Sequence, residues 1–133
     1  MPNVDELNPS YLDYIIRQDN SIIEKWLKLG ASGWRLDVAD ELPDEFIKIL
    51  KKKLKDVKED GILIGEVWED ASNKFSYNRK REYLFGNELD SVTNYPLRQI
   101  ILDIVRGFIG NSYFIKSYMS LKENYPREYF IQL

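Results

Sequence analysis

Apolar residues recur along this chain in two styles: stripes at three- and four-residue spacing, and short unbroken runs. The first style predicts helices and the second predicts buried strands. "NPSYLDYIIRQ" predicts a helix with Pro9 near its first position. "DNSIIEKWLKLG" predicts a second, with Ser21 and Glu24 as a capping box and Ile22, Ile23, Trp26, Leu27 and Leu29 as its stripe. Gly30 is placed to end it. "GWRLDVA" follows as a strand. "LPDEFIKILKKKLKDVK" predicts a helix with Pro43 at its start and an apolar face of Phe46, Ile47, Leu50, Leu54 and Val57. In "DGILIGEVW" a turn at Asp60-Gly61 precedes a continuous apolar run, the pattern of a parallel strand buried on both faces. "EDASNKFSYNRKREYLFGNE" is long, polar and loop-like. "LDSVTNYP" predicts a third short strand, stopped by Pro96. Two helices close the pattern, "PLRQIILDIVRGFI" and "SYFIKSYMSLKEN", the latter ended by Asn124 and Pro126.

Strands alternating with helices at this spacing indicate an α/β fold with a parallel sheet and helical crossovers. A doubly wound open sheet and part of a (β/α)-barrel both fit. The doubly wound form usually carries a Gly-rich phosphate loop after a strand. None is present, so nucleotide binding has little support.

Composition narrows the chemistry. The chain has 133 residues, 44% hydrophobic and 31% charged, with a net charge of -3. That length suits one domain, and no apolar run is long enough for a membrane span. The N-terminal "MPNVDELNPS" has neither a basic segment nor an apolar core, so it is not read as a signal peptide. The net charge gives no pull toward nucleic acid. The lysines around Lys51 to Lys53 are read as a solvated helix face rather than a nucleic-acid patch. Cys and His are both absent. This removes disulfides, Ser-His-Asp and Cys-His catalysis, and makes zinc improbable. Acid/base chemistry falls to carboxylates, Tyr or Lys. No cofactor is expected, and the compartment is left open.

Ligands of parallel α/β folds bind at the carboxyl ends of the strands. There the sequence places Asp37, with Arg35 one pleat earlier on the same face, then Glu66 followed by Trp68, then Asn94 and Tyr95. Asp37 and Glu66 on consecutive strand ends can face one another across a site, and a carboxylate pair is what a retaining glycosidase needs. Arg35 would orient Asp37 and balance its charge. Glu66 follows "ILIG", so desolvation is expected to raise its pKa toward that of a useful acid. The plainer alternatives are a satisfied Arg-Asp ion pair and a helix-capping Glu; spacing alone does not choose between them.

"GWRLDVADE" followed by "GEVWED" strongly resembles the alpha-amylase superfamily, glycoside hydrolase family thirteen, and within it the neopullulanase and cyclomaltodextrinase branch. The resemblance implies that G-x-R-x-D supplies the arginine and the nucleophile, Arg35 and Asp37, and that G-E-x-W supplies the acid/base, Glu66. It puts Asp40 and Glu41 along the leaving-group side of the site and Trp68 beside the leaving sugar. Asp40 and Glu41 also suit the acidic first turn of the next helix, and Trp68 also suits packing. "MPNVDELNP" resembles the segment before the nucleophile strand, and "LDSVTNYP" the next barrel strand.

The departures bear on activity. The superfamily's third carboxylate, in an N-H-D or S-H-D segment, has no counterpart here, nor does its earlier His-bearing segment. A full (β/α)₈ barrel takes about 250 residues. Residues 1–133 are therefore expected to be one fragment of a catalytic (TIM) barrel, about three parallel strands with flanking helices, near the fourth to sixth β/α units. The expected ligand is an alpha-glucan or maltooligosaccharide. Turnover is not expected from the isolated chain, and self-association through exposed strand edges is. The alternatives kept open are a non-catalytic sugar-binding or assembly piece and an α/β domain using its carboxylates for Mg²⁺.

Overall fold

The computed structural model describes residues 4–85 and 88–127. Pro9 opens α1 (Pro9–Leu12), whose start is capped by the Asn8 side chain accepting from the Ser10 N–H. The helix widens into a π-turn over Asp13–Arg17. Ser21 caps α2 (Ile22–Lys28), its Oγ accepting from the Glu24 N–H as the capping box requires. The Glu24 carboxylate does not return the favour. It turns to Lys28 and Lys53 at 2.5 and 2.8 Å. The apolar stripe of α2 is narrower than its sequence suggests: Ile23 and Leu27 are buried, while Trp26 and Leu29 are exposed.

Strand β1 (Gly33–Leu36) leads through a single 3₁₀ turn, Ala39–Glu41, into α3 (Asp44–Val57). On α3, Phe46, Ile47, Leu50 and Leu54 are buried as their spacing predicts, and Val57 packs at the margin. The lysines of α3 are not a uniformly solvated face. Lys51 pairs with Asp90 at 2.5 Å and Lys53 with Glu24, so both tie α3 to other elements.

Strand β2 (Ile62–Gly65) is central in a three-stranded parallel sheet, between β1 and a later strand at Ser91–Val92. Trp34 pairs with Leu63 and Leu36 with Gly65, which puts Arg35, Ile62 and Ile64 on the opposite face. Leu36 and Leu63 join the core with α3. Ile62 is 47% exposed, and Ile64 is only half-buried. The "ILIG" run is therefore buried on one face here, not two.

The long polar stretch is more ordered than a loop. It forms a hairpin, β3 (Phe75–Ser76) and β4 (Arg79–Lys80), paired antiparallel. Beyond it Arg81, Tyr83 and Leu84 are buried. Strand β5 (Ser91–Val92) is shorter than the predicted strand segment "LDSVTNYP". The Asp90 carboxylate accepts from the Leu63 N–H at 2.8 Å, so a side chain extends the pairing of β2. The chain then forms α4 (Tyr95–Val105) and α5 (Asn111–Asn124). Among the described residues, no helix is long and apolar enough to cross a membrane.

Candidate active site

Two strands end side by side. Leu36 pairs with Gly65, and the residue directly after each strand is an acid, Asp37 after β1 and Glu66 after β2. Two glycines make that closeness possible. A Cβ at Gly33 would lie 1.9 Å from the Ile62 carbonyl oxygen, and one at Gly65 would meet Leu89 at 2.4 Å and Ala39 at 3.2 Å.

Arg35, one pleat before Asp37, bridges the acids. Its Nη1 donates to Asp37 Oδ1, and its Nη2 lies 2.8 Å from Glu66 Oε1. Both carboxylates thus sit within the reach of one guanidinium fork. Their surroundings differ. The Asp37 side chain is 75% exposed, whereas that of Glu66 is nearly enclosed. Glu66 Oε2 accepts from the Val38 N–H at 3.0 Å, and Oε1 accepts from the Tyr95 hydroxyl at 3.0 Å. The Trp68 indole is a further donor to this carboxylate.

This corrects the expected pKa of Glu66. The Val38 N–H, then the Tyr95 and Trp68 donors and the charge of Arg35, hold the carboxyl below its ordinary range, against the upward push of burial. Desolvation is present, but it is outweighed. The same hydrogen bond raises the pKa of the Tyr95 phenol, because losing its proton would set two anions together. Val38 reaches Glu66 only through a left-handed backbone, φ 42°. For a β-branched residue this is a strained conformation, stored where two strand ends meet.

The structure therefore gathers Arg35, Asp37, Glu66, Trp68 and Tyr95. Asn94 is adjacent, but its side-chain oxygen caps α4, accepting from the Leu97 N–H at 3.0 Å. Asp40 and Glu41 turn the other way. Asp40 accepts from the Tyr83 hydroxyl at 2.6 Å and pairs with Lys74 at 3.1 Å. Glu41 accepts from the Tyr77 hydroxyl. Among the described residues, no group of three or more acidic side chains is arranged to hold a metal ion.

No family model matches the chain. Over 104 residues it is 36% identical to the cyclomaltodextrinase of Thermoanaerobacter pseudethanolicus, covering 77% of this chain and 16% of that protein. Neopullulanase 2 of Thermoactinomyces vulgaris is 31% identical over 102 residues, with 77% and 15% covered. The cyclic alpha-maltosyl-(1→6)-maltose hydrolase of Arthrobacter globiformis, solved in complex with maltose, superposes with a TM-score of 0.72 at 26% identity. That match covers 81% of this chain and 23% of the hydrolase. The chain belongs to the alpha-amylase superfamily, glycoside hydrolase family thirteen. It spans about a sixth of the length of these curated relatives.

Within the alpha-amylase superfamily, the three parallel strands and their flanking helices correspond to part of a TIM barrel. Helices cover the outside of such a barrel, and side chains in layers fill its inside. The open face with Ile62, Ile64 and the Arg35 cluster is the inward one by this test. Sequence reasoning missed the groups that act through Val38 and the hairpin. Val38 contributes a main-chain N–H, which no side-chain motif announces. The hairpin had one signal, Asn78, a residue favoured in tight turns, but Tyr77 before it hid the pattern.

Proposed function

We propose that this chain is the part of a retaining alpha-glucan-acting hydrolase or transglycosidase that carries the nucleophile, Asp37, and the acid/base, Glu66. It corresponds to about the fourth to sixth β/α units of the barrel. The observation that supports this best is the bridging of the two strand-end acids by Arg35. A retaining pair stands roughly 5–5.5 Å apart, a span suited to two carboxylates on one fork. The reaction would run as a double displacement. Asp37, exposed and oriented by Arg35, attacks the anomeric carbon. Glu66 protonates the departing glycosidic oxygen, then takes a proton from the incoming water or sugar hydroxyl. For the first step Glu66 must hold a proton, so a bound sugar has to displace donors such as Tyr95 and exclude water. Trp68 and Tyr95 border the same cluster and would contact the leaving sugar. The relatives' names and the maltose in the Arthrobacter hydrolase support an alpha-glucan as ligand.

The 133-residue chain has no His and no segment of the N-H-D type. Losing a single electrostatic stabiliser of a transition state costs about 10²–10³ in rate, so the chain alone should not turn over maltooligosaccharides. The test is to graft the chain in place of the aligned segment of the Thermoanaerobacter cyclomaltodextrinase and treat it with a 2-fluoro glycosyl fluoride. Mass spectrometry should find the trapped sugar on Asp37, with none in Asp37→Asn, and Glu66→Gln should regain deglycosylation with azide. Trapping on a different carboxylate would overturn the assignment.

A further inference from the structure

Arg81 follows the β3–β4 hairpin and lies outside both superfamily motifs. It carries a charge yet is only 4% exposed. A buried charge is costly unless it is paired and hydrogen-bonded, so its partners show what it is for. One is the Asp44 carboxylate at the start of α3, 2.7 Å from its Nε. Its guanidinium also stacks over the buried Tyr83 ring, 4.8 Å from the centroid. Ser76 Oγ accepts from Nη1 at 2.9 Å. The remaining partners are main-chain carbonyls. Nη1 donates to that of Asp40 at 3.0 Å, and Nη2 to those of Ala39 at 3.3 Å and Leu42 at 2.8 Å.

These three carbonyls belong to the 3₁₀ turn after Val38 and to the residue that closes it. A single turn leaves its later carbonyls without a helical partner. A planar fork of five donors can reach several of them at once, which an ammonium cannot. Tyr83 adds a second tether, since its hydroxyl donates to the Asp40 carboxylate at 2.6 Å.

The turn begins at the strained residue. Val38 holds φ 42°, and such a conformation persists only where the surroundings over-determine it. On the strand side, the Ala39 N–H donates to the Glu66 carbonyl at 3.0 Å. On the far side, the grip is that of Arg81. The left-handed backbone aims the Val38 N–H at Glu66 Oε2, 3.0 Å away. That N–H is foremost among the groups that favour the Glu66 carboxylate. The others facing Glu66 are Arg35 from β1 and the Tyr95 and Trp68 donors. Arg81 itself has Asp44 and Glu88 as its nearby acids, apart from the tethered Asp40.

We propose that Arg81 is a positioning residue for Glu66. By fixing the carbonyls of residues 39, 40 and 42, it keeps the Val38 N–H aimed at the Glu66 carboxylate, and it acts through the turn rather than by contact. Its bearing on catalysis rests on the glycosidase reading above.

The test is a carbon-13 NMR titration of the side-chain carboxyls, from pH 7 to pH 3, in the native 133-residue chain, Arg81→Lys and Tyr83→Phe. Lysine keeps a charge for Asp44 but has no fork to span three carbonyls. Glu66 should then lose the Val38 N–H and titrate at higher pH than in the native chain. Tyr83→Phe keeps the ring under Arg81 and removes only the bond to Asp40, so Glu66 should move the same way and less. Glu24, held at about 2 by Lys28 and Lys53, should stay ionised throughout in both variants. Glu66 unmoved in Arg81→Lys would overturn the proposal and leave Arg81 a staple of the hairpin. A rise of Glu24 together with Glu66 in Arg81→Lys would mean that the fold as a whole had loosened. Tyr83→Phe then decides: a rise of Glu66 alone supports the proposal, and no rise overturns it. The titration uses no sugar, so its failure leaves the glycosidase reading standing; that reading fails separately, if the trapped sugar is not on Asp37.

Discussion

Single carboxylates in this chain owe their behaviour to what donates to them. Glu66 is nearly enclosed, yet its donors keep it below the ordinary range. Glu24 is the simplest case, because it lies away from the candidate site. The ammonium groups of Lys28 and Lys53 lower its pKa from the ordinary 4.5 to about 2. Its folded value thus lies below its unfolded one. The stability contributed by these contacts is present above about pH 4.5 and is lost as pH falls toward 2. Glu24→Gln should therefore be the less stable protein at neutral pH and should lose less on acidification. Melting temperatures of the two from pH 6 to pH 2 should converge at the acid end. Parallel profiles would show that the paired lysines contribute nothing to folding. The capping-box pattern placed Ser21 and Glu24 correctly at a helix start. It did not reveal the lysine contacts, because Lys53 comes from a helix far along the chain.

At the scale of elements, the strand ends were the most legible part of the sequence. Residues two apart share a face, so Arg35 and Asp37 had to point together, and the register then sets Glu66 beside Asp37. The glycines of the same segments show why the strands approach so closely. An added Cβ at Gly33 meets main chain, which cannot rotate away as a side chain can. Gly33→Ala should destabilise the chain on the order of 1–3 kcal/mol, read as a lower urea midpoint at unchanged slope. Gly110→Ser is the contrast. A Cβ there meets nothing, and a hydroxyl would cap α5, so the change should be neutral or stabilising. An unchanged urea midpoint for Gly33→Ala would mean that β1 and β2 are not this close in solution. The hairpin was less legible than the strands, since its two-residue strands are too short to show alternation and Tyr77 is not a residue that marks a tight turn.

At the scale of the whole molecule, the sequence is written for surroundings that these 133 residues do not supply. "ILIG" reads as buried on both faces, but only the helix-covered face is buried here. That mismatch is informative, because side chains in a barrel interior would cover Ile62 and Ile64. The last two helices tell the same story. Helix α4 has no buried residue, and Ile101, Val105, Tyr113 and Ile115 on the two helices, with Phe108 in the connection between them, all stand exposed. The outer edges of β1 and β5 are unpaired among the described residues, and open edges and apolar patches both favour association. The 133-residue chain on its own should therefore self-associate at micromolar concentration, most simply as a two-fold dimer. Ile62 projects from the open face and gives little to the fold itself, so Ile62→Lys should shift the population toward monomer without lowering the urea midpoint. Sedimentation velocity across a hundredfold range of concentration measures both effects. A single monomer boundary throughout, identical for the native chain and Ile62→Lys, would mean that the open face is not the surface that associates.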